Sequence, residues 1–177
     1  MFKRQPVESA DEKQAFEYAK LAVSETGAWI KNADTKATIL AAGLGATATV
    51  TASRAAPTWA LIAGSNQVLS IAAVIAVSVF VVGAVGTVWC AVRTLIPRTN
   101  VSGGRNPFAW PSVASSFVVD DSEFQKASAK QAWNQVHALA LIAKAKYEAF
   151  ALALRWFILT VIGAGVLVAL ASTVPPN

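Results

Sequence analysis

Residues 29–37 read WIKNADTKA, and from Ala37 to Ser53 no charged side chain follows. Asn32, Asp34 and Lys36 thus fall on the last polar stretch before a run of Ala, Gly, Thr, Leu and Val. Upstream, "ESADEK" offers Ser9 as an N-cap with Glu12 three residues on, a capping box that opens a helix. No Pro interrupts the chain from there to Arg54. The spacing predicts one long helix that begins in water and runs into a membrane, with three polar residues at its threshold.

The whole chain fits that reading. Of its 177 residues 55% are hydrophobic and 14% are charged, a balance that belongs to membrane proteins rather than to soluble domains of this length. Crossing a hydrocarbon core takes roughly 17 to 25 apolar residues. Three runs are candidates: Ala37 to Ser53; the stretch that is strongly apolar from about Val68 to Val92; and Trp156 to Val174. The first begins too far into the chain to be a signal peptide. The single Cys90 permits no disulfide within the chain, and with only one His, His137, a protein-built zinc site is not expected. No nucleophile stands beside a base in any recognisable pattern, so the chain reads as a non-enzyme.

Charge sets the expected topology. Lys3, Arg4, Lys13, Lys20, Lys31 and Lys36 precede the first run, and only Arg54 separates the first from the second. Arg93, Arg98, Arg105, Lys126, Lys130, Lys144, Lys146 and Arg155 lie between the second and third, and none follows. The positive-inside rule then puts the N-terminus and the middle segment in the cytoplasm and the C-terminus outside. The net charge of +5 is scattered rather than clustered, which suits anionic lipid headgroups and argues against nucleic acid.

The expected fold is an all-α membrane protein with three transmembrane helices, the first and last extending into the cytoplasm as long helices that pack together. The segments are a cytoplasmic amphipathic helix over 1–36, two spans with an outer connection over 37–92, a cytoplasmic connector over 93–122, a cytoplasmic helix over 123–155 opened by Ser122 and Gln125, and a last span with a short tail over 156–177. Two extended helices bury little on their own, so a homo-oligomer is expected.

At about 100° per residue, Lys13, Glu17, Lys20, Ser24, Lys31 and Thr35 share one face of the first helix, a solvent stripe. Tyr18, Leu21, Glu25, Trp29, Asn32 and Lys36 form a second sector, and Phe16, Val23, Ile30 and Asp34 a third, both expected to meet a partner. On the last helix Lys126, Lys130, Asn134, His137, Lys144, Glu148 and Arg155 make a solvated face, while Gln135 and Lys146 lie at the margin of the apolar one. Trp133 and Tyr147 are expected in core packing. A buried carboxylate or ammonium needs a partner. Asp34 and Lys146 can neutralise each other, or each can meet a ligand.

The order of these pieces is familiar. Trp29 followed by "NADTKA", then "RTLIPR", then "NPF", then "QVHALALIAKAKYEAFALAL" entering the last apolar run, resembles the transmembrane effectors of Pycsar, the pyrimidine cyclase system for antiphage resistance. The likeness runs from about Phe16 to the last run and is most specific at "DTKA", Asp34 to Ala37, and at "KY", Lys146 and Tyr147, with Gln135 upstream. It implies a partner cyclase that makes cyclic CMP or cyclic UMP on infection, and an effector that senses the nucleotide and impairs the inner membrane. The residues it implies for the ligand are Trp29, Asn32, Asp34, Lys36, Gln135, Lys146 and Tyr147, with Arg98, Arg105 and Asn106 as further phosphate contacts. Lys144 and Lys146 stand where relatives carry more Arg. Such groups suit a nucleotide: cations for phosphate, amides and carboxylates for base edges, an aromatic ring for the base face. Two rival readings need no nucleotide, a structural membrane protein whose threshold charges lock helices together and a constitutive pore.

Overall fold

The computed structural model describes residues 10–96, Phe108 and 129–174. Its regular elements there are four α-helices: α1 Ala10–Ala52, α2 Ala55–Ala63, α3 Gln67–Leu95 and α4 Ala129–Ala171. Both expected capping boxes fall outside the described residues.

The breaks follow from local chemistry. Pro57 lacks an N–H, and its ring would collide with the carbonyl four residues earlier, so α1 cannot run on past Ser53. Arg54 takes a non-helical turn, and α2 restarts with Pro57 in its first turn, where no N–H is needed. This short helix lies in the expected outer connection. Asn66 caps α3, its side chain accepting from the backbone N–H of Val68 and Leu69 at 3.2 Å each. The helix ends at Leu95, and Ile96 turns extended (ψ 124°), as the residue before Pro97 must. The Ser70 hydroxyl donates to the Ile62 carbonyl at 2.8 Å and ties α3 to α2.

Among the described residues two helices are long and apolar enough to cross a membrane, α3 and α4, not the three expected. The run from Ala37 to Ser53 is made largely of Ala, Gly and Thr, which contribute little transfer free energy each, and Lys36 closes one end. Only 17% and 28% of the apolar windows of α3 and α4 are buried within the chain, so neither is an ordinary soluble core helix. At about 1.5 Å per residue the 43 residues of α4 span roughly 65 Å, twice what a bilayer needs.

The chain divides into two compact units, and the division falls inside both long helices. Unit one comprises residues 1–32 and 97–145, unit two residues 33–96 and 146–177. In unit one, Phe16 meets the edge of Phe108 with ring centroids 6.0 Å apart, and the Lys20 ammonium stands 4.8 Å over Phe16 while pairing with Glu17 at 2.8 Å. Phe108 is the Phe of the "NPF" stretch. Ala19, Ala132 and Gln135 are buried.

Unit two is built on close helix approach. Leu40 of α1, Cys90 of α3 and Ala153 of α4 form its buried cluster, with Phe150, Trp156 and Phe157 packed around it. A Cβ added to Gly83 would lie 2.8 Å from the backbone N of Thr160, and one added to Gly163 would lie 2.7 Å from the backbone N of Phe80. The α3 and α4 backbones therefore touch where glycine faces them. The apolar half of α1 joins the same unit, with the Phe157 ring against Gly43.

The buried and half-buried threonine hydroxyls inside this apolar unit are satisfied within their own helices. Thr47, Thr51, Thr87, Thr94 and Thr160 each donate to the carbonyl four residues back, at 2.8–3.0 Å. Thr87, Thr94 and Thr160 are wholly buried, and this back-bonding is what makes a hydroxyl tolerable there.

Candidate functional site

The buried line of α1 reads Ala19, Ala33, Ala37, Leu40. Small side chains on that line allow another helix to come near, and in unit two both polar contacts made by its flanks go to α4. Asp34 follows Ala33 by one position and Lys36 precedes Ala37 by one, so helical geometry sets them on opposite sides of the line. Lys146 and Tyr147, consecutive on α4, meet these two arms separately. The Lys146 ammonium donates to the Asp34 carboxylate in an ion pair, and the Lys36 ammonium lies 5.4 Å from the centre of the Tyr147 ring.

Burial differs sharply across this quartet. The Lys146 side chain is 5% exposed, that of Asp34 38%, and Lys36 lies in the open. Leaving a buried ammonium without its carboxylate costs several kcal/mol, so Lys146 is the member that most needs its partner. The Asp34 end is partly wet, and solvent screening reduces what the pair contributes. Among the described residues no carboxylate pairs with Lys36, whose recorded partner is the aromatic ring. The arrangement thus holds one neutralised charge pair, one exposed cation and one aromatic face.

The remaining candidates are placed elsewhere. Trp29, Asn32 and Gln135 belong to unit one. Trp29 and Asn32 are exposed, and so are Tyr18, Leu21, Glu25 and Lys36, so one of the two sectors of α1 expected to face a partner faces outward, while the other, Phe16, Val23, Ile30 and Asp34, is half-buried. The line that packs is the alanine line beside it. Alanine is unremarkable in a helical sequence, so this line carries no signal of its own beside the half-buried sector of Phe16, Val23, Ile30 and Asp34. Trp133, expected in the core, is also exposed, whereas the solvent faces of Lys13 to Thr35 and of Lys130 to Arg155 are found as expected. Gln135 is buried, and its Oε1 has no hydrogen-bond partner among the described residues. Arg98, Arg105 and Asn106 lie outside the described residues. No group of three or more His, Cys, Asp or Glu among the described residues could hold a metal ion.

No curated protein and no solved structure matches the chain. The family model described as the Pycsar effector protein domain matches residues 18–173, a range that takes in every candidate residue from Trp29 to Tyr147 and both apolar helices. With nearly its whole length covered, the chain belongs to the Pycsar effector family, whose members are effectors in antiphage defence.

Proposed function

We propose that the protein is a signal-gated effector that senses cyclic CMP or cyclic UMP through its helical part and then impairs the inner membrane of the infected bacterium. The observation that carries this reading is the family match over residues 18–173. Family membership implies a pyrimidine nucleotide cyclase as the functional partner, one that acts through its diffusible product and requires no contact with this chain. Two apolar helices supply the means to act on a bilayer. The Lys and Arg residues between 93 and 155 favour the cytoplasmic side for that stretch, where such a product would accumulate.

Sensing requires that the nucleotide bind one state better than another. The Asp34, Lys36, Lys146 and Tyr147 quartet offers what a monoanionic nucleotide asks for, a cation and an aromatic face beside polar groups. It lies on α1 and α4, and α4 continues into an apolar span, so a ligand that alters their packing would act on the membrane segment directly. Assembly of several copies would amplify such a change.

The test is thermal stability in detergent with cyclic CMP, cyclic UMP and cyclic AMP added in turn, together with a membrane-potential dye in cells that carry the protein. A rise in Tm with one pyrimidine and none with the purine, and depolarisation only when that nucleotide is supplied, is the expected result. One observation favours a second reading: the Asp34–Lys146 pair by itself is what a purely structural helix lock would use. That reading expects no nucleotide to raise Tm, and constitutive pore formation would show as depolarisation without any nucleotide.

A further inference from the structure

The quartet contains two lysines that could meet a phosphate, and their surroundings differ enough to separate them. We infer that Lys36, not Lys146, supplies the cation for the ligand's phosphate and that the face of Tyr147 receives the ring, while Asp34 and Lys146 form a closed structural pair. This rests on the nucleotide-sensing function proposed above and assigns the roles within it.

Charge and access carry the assignment. The charge of Lys146 is already cancelled by Asp34, and its side chain is nearly sealed from solvent. A phosphate reaching it would have to displace a carboxylate and would leave Asp34 facing a second anion. Lys36 is exposed, and no carboxylate among the described residues competes for it. Once Asp34 and Lys146 cancel, the quartet keeps a single positive charge, which balances the single negative charge of a cyclic phosphodiester.

Position agrees with charge. The Lys36 ammonium rests 5.4 Å from the Tyr147 ring centre, held by the ring quadrupole, a weak contact at an exposed site. An aromatic base sliding onto that face would take the place of the ammonium and bring its own phosphate within the lysine's reach. The cation–π contact thus stands in for the ligand: a ring and a cation already brought together, each able to exchange the other for a better partner. Stacking of a base on an aromatic side chain and a charge-assisted contact to phosphate both exceed what the exposed cation–π contact provides. The shared chemistry, a phosphodiester monoanion at Lys36, could also come from a lipid headgroup, and the test separates the two sources.

The experiment is calorimetric titration of the full-length protein in neutral detergent with cyclic UMP, cyclic CMP and the uncharged nucleosides uridine and cytidine. Lys36→Gln is expected to leave the ligand-free Tm unchanged, weaken the bound cyclic nucleotide about tenfold or more, and close the gap between nucleotide and nucleoside. Lys36→Arg should restore that gap. The paired change Asp34→Asn with Lys146→Met should keep it. The assignment is overturned if Lys36→Gln binds cyclic nucleotide as the unaltered protein does, or loses nucleotide and nucleoside equally. It is also overturned if phosphatidylglycerol in the micelles raises Tm through Lys36 while cyclic nucleotide binding ignores Lys36, since the site would then be a headgroup contact. Should the unaltered protein bind neither cyclic pyrimidine, the proposed function itself fails and this assignment falls with it, an outcome distinct from loss confined to one lysine.

Discussion

Two parts of unit two hold helices together by opposite means. At the α3–α4 seam the polar atoms are satisfied inside each helix: Thr87 bonds the Gly83 carbonyl and Thr160 the Trp156 carbonyl. What joins the helices there is shape alone, glycine against backbone. At the α1–α4 contact the polar groups are satisfied between helices, Lys146 by Asp34 and Lys36 by the Tyr147 ring. Shape cannot be exchanged for a ligand, whereas an ion pair and a cation–π contact can. The seam is therefore the fixed part of this unit, and the polar contact is the part able to respond.

The largest expected effect breaks the seam. Gly163→Leu would drive a side chain into the backbone of Phe80, where even a Cβ would lie 2.7 Å from the nitrogen. A backbone cannot rotate out of the way, so overpacking should cost about 3 kcal/mol or more. The expected outcome is loss of monodisperse protein on size exclusion in detergent, or a Tm too low to fit. A variant that runs as a single sharp peak with normal stability would mean that α3 and α4 do not touch there.

Next come the charges. Lys146→Ala leaves Asp34 unpaired and a void behind it, and Asp34→Asn leaves a buried ammonium facing an amide. Each should cost about 1–3 kcal/mol, at the lower end because Asp34 is partly exposed. Asp34→Asn with Lys146→Met should cost less than the sum of the single changes, since residues in contact do not add. Strict additivity in thermal melts would show that the two charges do not interact.

Gln135→Leu has the opposite sign. A buried amide oxygen without a partner costs about 1–3 kcal/mol, and leucine of similar bulk removes that penalty. Unit one should melt at equal or higher temperature in the ligand-free protein. A drop in Tm would mean that the amide nitrogen contributes more than the oxygen costs.

These residues also mark what the sequence allowed to be read. The long helices were visible because charge stripes and the absence of Pro extend over many turns, and α3 ends where Pro97 requires. Asp34 and Lys146 could be matched across more than a hundred residues because a charge on a non-solvent face demands a partner. The packing line of α1 was not legible. Its residues are Ala19, Ala33 and Ala37, and a small side chain signals close approach only when the neighbour is known. The first apolar run lacks charge as a span does, but Ala, Gly and Thr make it weakly apolar. In the fold it packs through Leu40 and Gly43 against residues of the neighbouring helices. The candidate site was legible as chemistry, and the separate roles of its two lysines were not, because burial decides them and periodicity does not.

The smallest effect tests the premise about the seam. If its hydroxyls serve their own helices and not their neighbours, then Thr87→Val removes one bond to the Gly83 carbonyl and changes nothing between α3 and α4. Valine keeps the branched shape, so no void opens in a site that is wholly buried. The lost hydrogen bond is worth about 1 kcal/mol, and two gains offset it: no hydroxyl needs burying, and the Gly83 carbonyl keeps its bond within the helix backbone. The expected shift in Tm is about 1 °C or less, with an unchanged elution volume in detergent. A shift as large as that of Asp34→Asn would mean that Thr87 reaches across to α4, and the distinction between a fixed seam and a responsive contact would no longer hold. If the shift is small, the polar contacts that join α1 to α4 in unit two are those of the quartet, and a ligand that redirects Lys36 and Tyr147 has that contact to act upon while the seam stays closed.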